Sequence, residues 1–98
     1  MNTSIAIQVL PKVATNEETI RIVDEVIAFI KSYDVHAEVG PFETTLEGDY
    51  ETLMEILKEC PKICTNAGAS GVMVYTKINY APEGVLTIEE KCAKHREA

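Results

Sequence analysis

The hydrophobic pattern of this chain changes between the period of a strand and the period of a helix, and no other feature restricts its fold as much. In SIAIQVLP, residues 4–11, every second side chain is strongly apolar, as in a strand with one buried face. The following TNEETIRIVDEVIAFIKSYD has helical spacing and starts with a potential capping box of Thr15 and Glu18. The pattern predicts that this helix buries the stripe Ile20, Val23, Ile27 and Ile30, widened by Val26 and Tyr33.

A hairpin is predicted next. VHAEVG, residues 35–40, alternates again, and the turn residues Gly40 and Pro41 lead into FETTLEG, residues 42–48. Alternation within FETTLEG directs Thr45 and Glu47 to one face of the sheet and Thr44 to the other.

The second half of the chain repeats the order of helix and strand. Helical spacing runs from Tyr50 to Ala67, and Pro61 within it predicts a kink or break, so that replacing Pro61 should have little effect on stability. VMVYTKIN, residues 72–79, is a fourth strand, and IEEKCAKHRE, residues 88–97, is a short last helix.

The resulting order, β-α-β-β-α-β with a terminal helix, is that of the split βαβ or ferredoxin-like fold. We therefore expect an α+β sandwich in which two helices cover one face of an antiparallel four-stranded sheet. The length of 98 residues predicts a single domain that spans residues 1–98.

The sheet face opposite the helices is predicted to mix polar and apolar side chains. Ala6, Leu10, Met73 and Tyr75 make it too apolar for a surface left to water, which favours a contact between copies of the chain. We therefore expect a homo-oligomer, at least a dimer.

The net charge and the short length of the apolar runs argue against nucleic acid and membranes as partners. A formal net charge of −7 argues against nucleic acid, because nucleic acid attracts surfaces rich in Lys and Arg. No apolar run approaches the ~20 residues of a membrane span, and the start of the chain lacks a signal pattern. These observations, together with three cysteines in an odd set, predict a cytoplasmic protein with free thiols.

The pattern Cys60-x3-Cys64 resembles half of a metal site, with His95 as a possible third ligand. However, a closed zinc site needs four ligands, and these two cysteines lie on the apolar face of their helix. Buried free cysteines without a metal are the better interpretation. The chain also lacks the motifs of nucleophilic catalysis and of nucleotide binding, so no catalytic residue is assigned.

At family level, the chain resembles the YkoF-like thiamine-binding proteins. The resemblance covers almost the whole chain and rests on IAIQVLP, GPFETTLEGDYETLMEIL, VYTKINY and LTIEEKCAKH. It implies a non-catalytic protein without a cofactor that binds thiamine or its hydroxymethylpyrimidine half and assembles as a dimer of dimers. One departure is the turn after the last strand, residues 80–84, where many members have an arginine and this chain has YAPEG.

The resemblance also gives the threonines and glutamates of FETTLEG a possible role. A hydroxyl can donate to and accept from an aminopyrimidine, and a carboxylate can accept from its amine or stabilise the thiazolium cation. We predict Thr45 and Glu47 as main contacts, and Thr44 and Gln8 as secondary ones. Phe42 and Tyr80 are candidate stacking surfaces. On propensity alone the alternative is an ordinary strand, because threonine favours strands and glutamate favours surfaces.

The sequence therefore leaves three hypotheses for the function. The first is a thiamine-binding carrier, buffer or sensor, and the second is a regulatory or scaffolding oligomer whose open sheet face only joins subunits. The third is an enzyme that uses Glu43 and Glu47, but these exposed carboxylates offer no reason for divergent pKa values.

Overall fold

The computed structural model describes residues 1–96, which form a four-stranded sheet with two long helices packed on one face. Its elements are β1 (Thr3–Pro11), α1 (Asn16–Lys31), β2 (His36–Val39), β3 (Thr44–Gly48), α2 (Tyr50–Asn66), β4 (Val72–Tyr80) and α3 (Ile88–Cys92). All three strand pairs are antiparallel. This α+β, ferredoxin-like arrangement confirms the fold class that the hydrophobic pattern predicts.

Strand β1 lies at the centre of the sheet, whose order is β2-β3-β1-β4. Along its whole length it pairs with β4, from Thr3 opposite Tyr80 to Pro11 opposite Val72. Its pairing with β3 is shorter, because it ends where Ile7 lies opposite Thr44. The last part of β1 therefore has a neighbour on one side only.

Helix α1 begins at the predicted cap, where the Thr15 side chain accepts a hydrogen bond from the Glu18 N–H. The stripe that it buries differs from the predicted one. The fully buried residues are Ile22, Val26 and Ile30, whereas Ile20 is 61% exposed. Apolar residues cover a wide arc of this helix, and the pattern alone does not fix which part of the arc faces the core.

The hairpin between β2 and β3 closes through the backbone. The Gly40 N–H donates to the Glu43 carbonyl oxygen at 2.9 Å. A Cβ on residue 40 would lie 2.9 Å from that same oxygen, so only glycine fits this turn without a shift. As a result β3 begins at Thr44, and residues 40–43 form the turn and belong to neither strand.

Helix α2 continues through Pro61, so the predicted break is absent. Proline removes only one backbone hydrogen bond, whereas Leu53 and Ile56 before it and Cys64 after it are fully buried in the core. Packing on both sides of Pro61 therefore keeps the two halves of the helix together.

Helix α3 starts with the predicted capping box of Thr87 and Glu90. It is shorter than its pattern indicates and passes into a 3-10 turn at Ala93–His95; the predicted position Glu97 lies outside the described residues. Among residues 1–96, no helix combines the length and the apolar character that crossing a membrane requires.

Pro61→Ala restores a backbone donor inside a continuous helix. We expect it to stabilise the fold by about 2 kcal/mol, because the ~3 kcal/mol helix penalty of proline is partly offset by the looser unfolded chain. Urea unfolding measures this change. Lys58→Ala, an exposed substitution in the same helix, serves as the control and should stay within about 0.5 kcal/mol of the parent. No gain with Pro61→Ala would mean that the helix already adapts to proline at no cost.

Candidate functional site

A cleft of about 220 Å³ opens between α1 and the end of β1. We call it the helix-side cleft. Its lining consists of Ile7, Gln8, Val9, Leu10, Val23, Val26, Ile27, Ile30 and the segment 39–44. The cleft exists because β1 continues beyond β3 while residues 40–43 turn away, which leaves a gap at the sheet edge.

The wall that α1 contributes is apolar. Val23 and Ile27, which the sequence predicts in the core, are only partly buried and line the cleft. The helix therefore presents one apolar stripe to the core and a second one to the cleft. An apolar wall with few polar groups is typical of sites for small organic molecules.

Thr44 supplies a polar group at the base of this cleft. It is 8% exposed and faces the helices together with its neighbour Ile7 in the sheet. Within residues 1–96 its hydroxyl has no hydrogen-bond partner, yet its oxygen is not sealed from solvent. This hydroxyl is therefore available to a molecule in the cleft.

Phe42 and Glu43 lie at the mouth of the cleft. The Phe42 side chain is 78% exposed, so this ring is not held by the core. Glu43 forms an ion pair with Lys77 at 3.3 Å across the other side of the sheet. Gln8 also lines the cleft, but strand alternation directs its side chain to the opposite face, where it neighbours Tyr75.

Thr45 and Glu47 lie on the sheet face opposite α1 and α2, which we call the open face. Both are partly buried, and Thr45 neighbours Ala6 there. A carboxylate oxygen of Glu47 accepts a hydrogen bond of 2.8 Å from the Ile88 N–H. Glu47 thus holds the first residue of α3 against this face.

A second contact fixes the same segment further along. Arg96 forms two hydrogen bonds of 3.0 Å with the carboxylate of Glu38, which His36 also contacts at 3.2 Å. The hydrogen bond from His36 and then the pairing with Arg96 lower the pKa of Glu38. The segment from Ile88 to Arg96 is therefore attached to the open face by carboxylates of β2 and β3.

Tyr80 lies at the end of the sheet away from the helix-side cleft, since it pairs with Thr3. Its ring is 4.9 Å from that of Tyr50, centroid to centroid. The planes of the two rings are inclined by 58°, and this tilted contact joins the end of β4 to the start of α2.

The cysteines are part of the core. Cys60 and Cys64 are completely buried, and burial raises the pKa of the Cys60 thiol to about 11. That thiol is therefore protonated near neutral pH and is a poor nucleophile. Across residues 1–96, no three His, Cys, Asp or Glu side chains are grouped as a metal site.

The structure thus places the six predicted ligand contacts in three separate regions. Gln8, Phe42 and Thr44 line the helix-side cleft, Thr45 and Glu47 lie on the open face, and Tyr80 lies at the far end of the sheet. Ligand contact by these residues stays a prediction.

The sequence interpretation missed Val9, Val23 and Ile27 as cleft residues. A signal for them was present, because the apolar arc of α1 is too wide for the core alone.

Comparison with known proteins shows the family of this chain. The family described as thiamine-binding protein matches residues 5–96. A UPF0045 protein of Clostridium perfringens (strain 13 / Type A) is 42% identical over 93 residues, which are 95% of this chain and 96% of that protein.

Two solved structures show the same fold. A domain of unknown function from Bacillus cereus has a TM-score of 0.88 and 34% identity, covering 99% of this chain and 92% of its own. A Thermotoga maritima protein, named provisionally for thiamine biosynthesis or salvage, has a TM-score of 0.85 and 31% identity and covers 98% and 100%. As its resemblance to the YkoF-like proteins predicts, the chain belongs to the thiamine-binding protein family.

Proposed function

We propose that this protein reversibly binds thiamine or its hydroxymethylpyrimidine half in the helix-side cleft, without catalysis, as a carrier, buffer or sensor. The observation that carries the proposal is the cleft itself, which is apolar on the α1 side and polar at Thr44, in a chain of the thiamine-binding family. A planar heterocycle with hydrogen-bonding groups on one edge matches such a combination.

The size of the cleft suggests which half of thiamine it takes. At about 220 Å³ it is smaller than the roughly 300–1,000 Å³ of pockets for drug-sized ligands. A single pyrimidine ring suits this volume better than the whole vitamin. The thiazolium would then extend past the mouth, where Phe42 offers an exposed ring that can stack on a cation.

Calorimetry with thiamine, thiamine phosphates and hydroxymethylpyrimidine tests the proposal directly. We expect hydroxymethylpyrimidine to bind on its own, because the cleft accommodates the half that it represents. Absence of binding for all of these compounds would refute the proposed function.

Two adjacent threonines form a matched pair that locates the site. Thr44→Val removes the hydroxyl in the cleft and should weaken both thiamine and hydroxymethylpyrimidine by about 0.5–1.5 kcal/mol, the usual value of a neutral hydrogen bond. Thr45→Val makes the same change on the open face and should leave both affinities unaltered. Titration calorimetry on the two variants decides between the faces. The reverse result would place the ligand on the open face, as the sequence interpretation expects.

Glu47→Gln separates anchoring of α3 from ligand binding. The charge on Glu47 strengthens its hydrogen bond to the Ile88 N–H, so its loss should increase hydrogen exchange in residues 88–92. With the ligand in the helix-side cleft, the affinity for thiamine should not change. A loss of about 1.5–3 kcal/mol in thiamine binding, typical of hydrogen bonds to charged groups, would instead assign Glu47 to the ligand.

We further propose that the protein works as a homo-oligomer, a dimer of dimers by its family. On the open face, Leu10, Met73 and Tyr75 are 42%, 47% and 53% exposed and adjoin one another along β1 and β4, whereas Ala6 is buried. This apolar patch also favours the second candidate function, a scaffolding oligomer that binds nothing small.

Light scattering on Met73→Lys tests the interface. A buried charge at the patch should shift the assembly toward smaller species, dimers or monomers, at micromolar concentration. Ile20→Lys is the matched control, since Ile20 is an exposed apolar residue on α1 and its replacement should leave the assembly intact. A monomeric parent protein would refute the proposed oligomer.

A further inference from the structure

The helix-side cleft contains a main-chain donor and acceptor that the sheet leaves unused. Past Ile7, β1 has no partner on the β3 side, although it pairs with β4 as far as Pro11. Backbone groups on that side of β1 therefore face the cleft. Strand geometry determines which residue they belong to, because successive residues turn their N–H and C=O groups to opposite sides.

Contacts at both ends of β1 fix this alternation. The Asn2 carbonyl accepts from the Ala81 N–H, and the Lys12 N–H donates to the Gly71 carbonyl; both partners lie on the β4 side. The register between them has no bulge. Even-numbered residues of β1 therefore direct their backbone groups to β4, and odd-numbered residues direct theirs to β3.

Val9 and Pro11 are the odd-numbered residues of β1 that β3 does not reach, and of these only Val9 has an N–H as well as a C=O. Continuing the register beyond Ile7 and Thr44 would place Phe42 opposite Val9, but the chain turns away at residues 40–43. In the part of the chain that the structure describes, no backbone partner meets the Val9 N–H or C=O on this side. Val9 lines the cleft, so these two groups lie side by side among apolar walls.

We propose that the main chain of Val9 recognises the aminopyrimidine edge of the ligand, as a strand recognises its neighbour. This inference rests on the proposed function and adds its specificity determinant. The Val9 N–H donates to a ring nitrogen, and the Val9 C=O accepts from the exocyclic amine beside it. Pro11, the next residue of β1 that faces this side, lacks an N–H, so Val9 alone in this stretch offers both a donor and an acceptor, which suits a heterocycle rather than an added peptide strand.

This pairing gives selectivity that no side chain supplies. A pyrimidine without a donor in the place of the exocyclic amine leaves the Val9 carbonyl unpaired under the bound ring, which is costly in an apolar site. A uracil-like edge also meets this requirement, because its ring N–H can donate to the Val9 carbonyl while the adjacent oxygen accepts from the Val9 N–H. The site therefore selects a ring edge that places a donor next to an acceptor, as an amine beside a ring nitrogen does.

Hydrogen exchange of the Val9 amide, followed by NMR on the labelled parent protein, tests the inference. In the free protein the Val9 amide should exchange fast, whereas the Ile5 and Ile7 amides, paired with β3, should be protected. Saturation with hydroxymethylpyrimidine should slow exchange at Val9 by at least about tenfold, the factor that corresponds to ~1.4 kcal/mol, and leave Ile7 unchanged.

A pair of variants isolates the donor. Val9→Pro removes the N–H, which the ladder with β4 does not use, and Val9→Ala keeps it while also reducing the side chain. Hydroxymethylpyrimidine should bind Val9→Pro at least about tenfold more weakly than Val9→Ala, as expected for one lost hydrogen bond of ~1.4 kcal/mol. Should Val9→Pro fail to fold, the exchange experiment decides alone.

The outcomes separate this inference from the proposed function. If calorimetry shows binding while Val9 remains unprotected, the main-chain pairing is wrong and the binding function stands. Equal affinities of folded Val9→Pro and Val9→Ala lead to the same conclusion. If hydroxymethylpyrimidine and thiamine do not bind at all, both proposals are wrong.

Discussion

The difference in length between two neighbouring strands determines where the helix-side cleft lies. Strand β1 has nine residues and β3 has five, and they are in register at the end where β3 meets α2. The excess of β1 therefore lies at the other end, beneath α1, where it has no neighbour on one side. If β3 were as long as β1, its backbone would occupy the space beside the last residues of β1. The cleft, its apolar wall and the free main-chain groups of Val9 all follow from this missing piece of strand.

The same five-residue strand serves both faces of the sheet. Its even-numbered side chains face the helices, so Thr44 reaches the cleft and Leu46 the core, while Thr45 and Glu47 face the open side. The unusual glutamates near this strand have separate partners there. Glu47 binds the start of α3 and Glu43 binds Lys77, so carboxylates in this strand organise the surface rather than form a cluster of like charges.

The sequence predicts the fold because periodicity is a local property. Each element of the sheet and both long helices appear with boundaries close to the observed ones, and the caps at Thr15 and Thr87 are present. The site is harder to predict because it depends on how elements sit against one another. Rotation of α1 decides whether Val23 packs in the core or lines a cleft, and tertiary packing sets that rotation. Likewise, the failure of Pro61 to break α2 reflects packing on both sides of it, which a local rule does not include.

The chemistry of the cleft separates affinity from specificity. In the proposed binding mode, a ligand replaces solvent at the Val9 N–H and C=O, so each hydrogen bond yields only the modest net gain of ~1 kcal/mol. The apolar wall of α1 contributes in proportion to the area it covers, about 25 cal/mol per Å², and does so for any ring of suitable size. In this proposed mode the wall would supply most of the binding free energy, whereas the strand edge would penalise every ring that leaves its donor or acceptor unpaired. A site of this kind needs no charged side chain to choose its ligand, and the carboxylates of the neighbouring strand remain free to hold the C-terminal segment.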